Sequence, residues 1–272
     1  MHIDATTRAV VTGAGSGLGR ALARALAARG ATVVVSDLRE EGARATADAI
    51  TAAGGKAYVV LCDVSRADEV ERLAAEASRI GDVDLVVNNA GIGAAGEIGV
   101  ASLADWRRTI DINLLGVVHG CHYFVPRMRA RRRGHVLNVA SAAAFGSAPT
   151  MGAYNATKAA VVSLSETLAA EASDDGVGVT VLCPGFFKTE ILAGAVGTMS
   201  TEQRRYVEGE MARSKHDADA VARLALAAVE AGKLYAVPHA EIRWLWRVKR
   251  LSPALFAKLV TRVGRRSLMP RQ

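Results

Sequence analysis

Cysteine is scarce in this 272-residue chain, and so is any long apolar run. The three cysteines, Cys62, Cys121 and Cys183, are scattered, odd in number and without CxxC spacing. That excludes a disulfide framework and points to reduced thiols in a cytoplasmic protein. No uninterrupted apolar stretch is long enough to span a bilayer. The first apolar run, Ala9-Val10-Val11, leads straight into glycines, so no secretory signal is read. Six prolines are spread without a Pro/Gly-rich linker, and no composition break or repeat divides the chain. One domain is the expectation.

Metal-ligand spacing is lacking too. His119-Gly120-Cys121-His122 gathers ligand types without a fourth partner, and helix neighbours splay to different faces, so no metal is expected. The net charge of +7 is confined to one end. From Glu241 onward nine basic side chains face one acidic one, about +8, which leaves the rest near −1. A near-neutral main body does not suggest a nucleic-acid partner.

Half of the residues are hydrophobic, enough for a sizeable core and against global disorder. Short β-branched runs at 10–11, 33–35, 58–61, 85–87, 136–139 and 177–182 read as buried strands. Between them 18–29, 40–53, 67–80, 103–131 and 153–173 read as helices. Continuously apolar strands fit a parallel sheet covered on both faces. Right-handed crossovers then give a doubly wound, Rossmann-type α/β/α fold. After Cys183-Pro184-Gly185 the periodicity fails, which suggests a mobile lobe near 186–212 before a helix at 217–230 and a last strand at 234–237. Residues 1–238 form the expected domain, and 239–272 a C-terminal extension.

The turn after the first strand, residues 12–19, contains Gly13, Ser16, Gly17, Leu18 and Gly19 and opens the first helix. Glycines let the backbone approach a pyrophosphate, and the helix N-terminus supplies free N–H groups and positive potential. Asp37 ends the second strand, where a carboxylate meets an adenosine ribose and repels a 2′-phosphate. NAD is therefore expected over NADP, although Arg39 could partly offset the repulsion. Asp63 and Val64 end the third strand, suited to an adenine amino group and ring face. Asn89, Ala90 and Gly91 close the fourth.

Tyr154 and Lys158 stand four residues apart on a predicted helix and so share a face. A free tyrosine has a pKa of roughly 10, and a fixed cation beside it favours the phenolate. Such a pair can exchange a proton with an alcohol or carbonyl oxygen. Tyrosine and lysine at this spacing also occur as plain helix surface; the upstream motifs give the pair its meaning. With the 12–19 turn, Asn88 to Gly91, Asn113, Ser141, Tyr154 with Lys158, and Pro184-Gly185 in this order, the chain resembles the classical short-chain dehydrogenase/reductase family over residues 8–237.

The resemblance implies a catalytic set of Asn113, Ser141, Tyr154 and Lys158. Tyr154 would exchange the proton, and Lys158 would lower its pKa and hold the nicotinamide ribose. Ser141 would orient the substrate oxygen. Asn113 would hold a helix irregularity and a water relaying protons from Lys158. Thr189, after Pro184 and Gly185, would fix the carboxamide. A homodimer or homotetramer through the helices of Asn113 and Tyr154 is implied as well.

Around the reacting oxygen, Ala143, Phe145, Met151, Phe186 and Leu192 are small or apolar, which suggests a hydrophobic secondary alcohol or ketone, steroid-like, retinoid-like or long-chain. Two other readings stay open: an NADPH-dependent reductase of oxoacyl or polyketide-like intermediates, and a non-catalytic cofactor-sensing protein. In the tail, Leu255, Leu259 and Val263 form a stripe with Phe256 and Val260 beside it and Lys258 and Arg262 off it. Such a helix can lie on an anionic membrane, pack on a partner subunit, or cover the substrate lobe.

Overall fold

A computed structural model of the chain describes residues 1–189, 191–192 and 194–267, the stretch 263–267 by its backbone alone. Seven parallel strands form one sheet: β1 (Arg8–Thr12), β2 (Thr32–Asp37), β3 (Lys56–Leu61), β4 (Leu85–Asn88), β6 (Gly134–Val139), β7 (Val177–Leu182) and β9 (Tyr235–Ala236). Their order across the sheet is β3-β2-β1-β4-β6-β7-β9. Two short strands, β5 (Ala94–Ala95) and β8 (Val196–Gly197), pair separately above its carboxyl edge.

Strand alternation divides the core. Val11, Val33, Val35, Val87 and Leu137 pack one face against α1 (Gly17–Ala27), α2 (Glu40–Ala52) and α9 (Ala218–Glu230). Val10, Val34, Val86 and Val136 pack the other against α3 (Ala67–Ile80) and α5 (Gly116–Arg131). Both faces are covered, as the apolar runs require. The strand order reverses between β1 and β4, and in such sheets ligands sit at the carboxyl ends of the strands flanking that point.

The predicted helix over 103–131 is broken. It runs as α4 (Leu103–Ile110), a π-helical turn (Asp111–Leu115) and α5. Two arginines, at and just past the end of α5, meet a buried carboxylate. Asp84, 3% exposed, needs cations. Arg133 Nε lies 3.0 Å and Arg131 Nη1 3.8 Å from its Oδ1. Beyond β6 come the short α6 (Ala143–Gly146) and the long α7 (Gly152–Glu171).

The lobe after β7 is more regular than its composition suggests. It contains α8 (Thr201–Arg213), started by a capping box in which Ser200 accepts from the Gln203 N–H and Gln203 returns a bond to Ser200 N. That Ser-x-x-Gln signature was present in the sequence but masked by the glycines around it. The tail is two helices, α10 (Ala240–Leu251) and α11 (Pro253–Ser267), because Pro253 cannot continue the first but suits the first position of the second. Phe256 is buried and Leu255 is half exposed, so the inward seam of α11 is shifted from the predicted stripe. The side chains of Val263, Arg265 and Arg266, and all of Arg271, lie outside the described residues. Among the described residues no helix is long and apolar enough to cross a membrane.

Candidate active site

The glycine turn is shaped by its neighbours. Gly13 (φ 62°) and Gly17 (φ 48°) adopt left-handed backbone, and a Cβ on Gly13 would stand 2.8 Å from Ala90 Cα. A Cβ on Gly19 would run into the Gly13 carbonyl. Ser16 forms no side-chain cap on α1, so the helix's first N–H groups keep their donors for a ligand. Asn89 Nδ2 donates to the carbonyls of Thr12 (2.8 Å) and Gly13 (3.2 Å). Thr12 Oγ1 accepts from the N–H groups of Asn89 and Ala90 at 3.0 and 3.1 Å. The 88–91 turn thus braces the glycine turn.

Asp37 sits against this turn. Its Oδ2 accepts from Gly15 N at 2.8 Å and its Oδ1 from Arg39 N at 2.9 Å. Asp63 Oδ1 accepts from the Ser65 backbone N–H and hydroxyl, while Val64 packs under Gly116. Thr189 reaches the turn from the far side, with Oγ1 3.1 Å from where a Gly17 Cβ would be. A cradle closed to side chains, an uncapped helix N-terminus and a carboxylate at its rim could hold a dinucleotide.

Strand ends deliver the polar groups. Past β6 and β7, Ala140 N donates to Leu182 O and Ala142 N to Pro184 O, each at 2.8 Å, which sets Ser141 beside Pro184 and Gly185. From α7, Tyr154 and Lys158 enter the same space, 7% and 4% exposed. Lys158 Nζ donates to Val139 O at 2.9 Å and lies 5.7 Å from the centre of the Tyr154 ring. The Ser141 hydroxyl hydrogen-bonds Tyr154. Asn113, fully buried on the π-helical turn, clasps the Ile92 backbone: its Oδ1 accepts from Ile92 N at 2.8 Å and its Nδ2 donates to Ile92 O at 2.9 Å. The extra residue of the π turn lets Gly116 N bond Asp111 O and aims Asn113 inward. A Cβ on Gly91 would stand 3.1 Å from Asn113 Oδ1 and 3.5 Å from Lys158 Nζ, so glycine keeps these groups adjacent.

The electrostatics correct one expectation. Burial pushes the Tyr154 phenol up, and the Ser141 hydrogen bond opposes it. Lys158 is itself pushed down to about 8 by burial, and nearby Cys183 up to about 12 by the same cause. Desolvation is thus the larger influence on the Tyr154 phenol, and the Ser141 hydrogen bond the opposing one.

Tyr154 lies in an apolar cluster that includes Ala143, Met151 and Ile191. Leu192 is half-buried and Phe186 is 39% exposed. Phe145 does not join this cluster; it packs with Val117, Val161, Val181 and Trp246 behind α6. The His119–His122 segment splays as its helical spacing implies: His119 Nδ1 meets Val64 O, and Cys121 the amides of Asn88 and Asn138. Three residues without a signal in the sequence also touch the site walls, His239, Trp246 and Lys249. Their partners are far away in the chain.

A family described as short chain dehydrogenase matches residues 7–199, and the chain belongs to this family of oxidoreductases on the Rossmann-type fold. It is 39% identical over 252 residues to the probable oxidoreductase EphD of Mycobacterium tuberculosis, which covers 89% of this chain and 43% of that protein. It spans, then, less than half the length of that curated relative. With 3beta-hydroxysteroid dehydrogenase 1 of Eggerthella lenta it shares 42% identity over 189 residues, 68% of this chain and 72% of that one. The crystal structure of a short chain dehydrogenase/reductase from Burkholderia phymatum in complex with NAD superposes with a TM-score of 0.87 at 35% identity, covering 94% of this chain and 96% of the other.

Proposed function

We propose that this protein is an NAD-dependent dehydrogenase of hydrophobic secondary alcohols, acting reversibly on the corresponding ketones. The observation that carries the reading is that the buried Tyr154 and Lys158 stand together with the half-buried Ser141 beside the glycine cradle. When bound, NAD supplies the hydride acceptor at its nicotinamide ring. Tyr154 Oη takes the alcohol proton as the carbinol hydrogen leaves as hydride, and the C–O bond becomes a carbonyl. Ser141 Oγ donates to the same oxygen and orients it. The Lys158 ammonium offsets the negative charge that develops on Tyr154 and would hold the nicotinamide ribose. Asn113 holds the Ile92 loop and would seat a water that passes protons from Lys158 to solvent. Gly13, Ser16, Gly17, Leu18 and Gly19 would hold the pyrophosphate, and Pro184, Gly185 and Thr189 the carboxamide. A four-residue catalytic set argues against a purely cofactor-sensing protein.

Asp37 supports NAD. Its carboxylate is fixed by two backbone N–H groups at the rim of the cradle, where a 2′-phosphate would meet its charge. Initial rates with NAD are expected to exceed those with NADP. Asp37→Ser should narrow the ratio by roughly tenfold or more, since a like-charge contact at ~4 Å costs between about 1 kcal/mol in water and about 4 kcal/mol near a protein surface. Equal or faster rates with NADP in the unmodified protein rule out the NAD assignment and favour the oxoacyl-type reductase.

The apolar cluster around Tyr154 supports a hydrophobic substrate, and the hydroxysteroid dehydrogenase relative supports a cyclic one. We also propose that the tail touches anionic membranes. Trp244 (59% exposed) and Leu251 (86%) project from α10 among Arg243, Arg247 and Arg250. Full-length protein should float with anionic liposomes and a form ending before α10 should not; equal flotation removes membrane contact.

A further inference from the structure

No residue of α10 is fully buried; Ile242 and Trp246 are partly buried against the cluster behind α6, and specific bonds at its two ends add to that packing. At its N-cap, His239 is 3% exposed. Its Nδ1 accepts from Gly185 N at 3.0 Å and its Nε2 lies 3.1 Å from Phe186 O. Only a neutral ring with the proton on Nε2 satisfies both bonds. Toward the other end, Trp246 stacks on Phe145, with ring centres 5.0 Å apart at 18°. Lys249 Nζ donates to Phe145 O at 3.0 Å. One helix thus grips the chain just after β7 and the chain just after β6, the two segments that flank the reacting groups.

The segment after α6 needs holding. Ser147 (φ 48°) and the β-branched Thr150 (φ 63°) stand in left-handed backbone, which costs free energy in any non-glycine residue. Its far end is tied toward α7 and β5: Asn155 Nδ2 donates to Ala148 O at 2.7 Å, and Gly96 N to Thr150 O at 2.7 Å. Its near end, Phe145, is held by Trp246 and Lys249.

We infer that α10 is a brace that sets the width of the substrate cleft, and that Trp246 and Lys249 are specificity-determining positioning residues. They touch neither substrate nor cofactor. They act through Phe145 on α6, whose Ala143 lies in the cluster around Tyr154. The inference rests on the proposed reading of that cleft as the alcohol site. A fixed wall matters for a bulky cyclic alcohol that fills the cleft and little for a small one that does not.

The test uses the full-length protein and its Trp246→Ala, Trp246→Phe and Lys249→Met variants. Steady-state rates are measured with NAD and two alcohols, cyclohexanol and a 3-hydroxysteroid, with NAD affinity by calorimetry and amide hydrogen exchange over residues 143–151. Trp246→Ala should raise KM for the steroid about tenfold, the worth of a well-packed aromatic contact, with kcat and KM for cyclohexanol within about twofold. Exchange over 143–151 should quicken, NAD affinity should hold, and Trp246→Phe should restore the steroid KM. Equal losses on both alcohols, or unchanged KM for both, overturn the brace. If the unmodified protein oxidises neither alcohol, the proposed substrate class fails. The brace is then decided by exchange alone: faster exchange in Trp246→Ala and Lys249→Met supports it, and unchanged exchange overturns it.

Discussion

Tyr154→Phe is expected to lower kcat for alcohol oxidation by on the order of 10²–10⁴, the range that a positioned proton-transfer group contributes. The substitution removes one hydroxyl and leaves a ring of the same shape in a site where tyrosine is 7% exposed. Packing against Ala143, Met151 and Ile191 should survive, so thermal stability should change little and NAD affinity should stay within about twofold. Calorimetry reads the affinity, and the absorbance of NADH reads the turnover. Retention of more than about a tenth of kcat would mean that another group moves the proton. Ser141→Ala should cost less, because Ser141 orients the oxygen without accepting its proton.

Lys158→Met should have two opposite effects, and their opposition is the sharper test. Activity is expected to fall by roughly a hundredfold or more, as the charge that supports the Tyr154 phenolate is lost. Stability is expected to rise. Burial holds Lys158 near 8 against an ordinary value of 10.5, which corresponds to about 3 kcal/mol of cost at neutral pH. Methionine removes that cost and leaves Val139 O without its donor, a loss of about 1 kcal/mol. A net gain on the order of 1–2 kcal/mol remains.

The sign with pH follows from the depressed value. Above 10.5 the lysine is neutral in folded and unfolded chains, and no penalty applies. Between 10.5 and about 8 the unfolded chain binds a proton that the folded chain does not, so the unmodified protein loses stability as pH falls. Below about 8 both states are protonated and the full cost is present. The stability advantage of Lys158→Met should therefore be largest below pH 8 and vanish toward pH 10.5. Denaturant melts across this window measure it, and a variant less stable than the parent at pH 7 would show that Lys158 is net stabilising.

Much of the fold was legible because its signals are local. Val33 to Val35 and Leu85 to Val87 are apolar without interruption, and only a strand covered on both faces accepts that. The glycine turn was legible because left-handed backbone at Gly13 and Gly17 leaves few alternatives. The break at Asn113 could not be read from periodicity. Apolar spacing continues through residues 103–131, and the π turn shows itself only in the bond from Gly116 to Asp111 and in the clasp on Ile92. Phe145 looked like a substrate contact because it follows Ser141 closely. A turn of α6 points it the other way, into the cluster under Trp246.

By itself, the sequence determined the layered α/β architecture, the cradle between β1 and α1 and the set of polar residues that meet at the strand ends. These depend on periodicity, on glycine and on residues whose order along the chain matches their order at the sheet edge. Tertiary structure alone decided the protonation balance and the cleft walls. The Tyr154 phenol is raised because burial from several elements at once outweighs the hydrogen bond from Ser141. The grip of α10 joins His239 to Gly185 and Lys249 to Phe145 across 54 and 104 residues of chain. No local pattern encodes contacts at that separation, since they exist only once the sheet has brought β6, β7 and the C-terminal helices together.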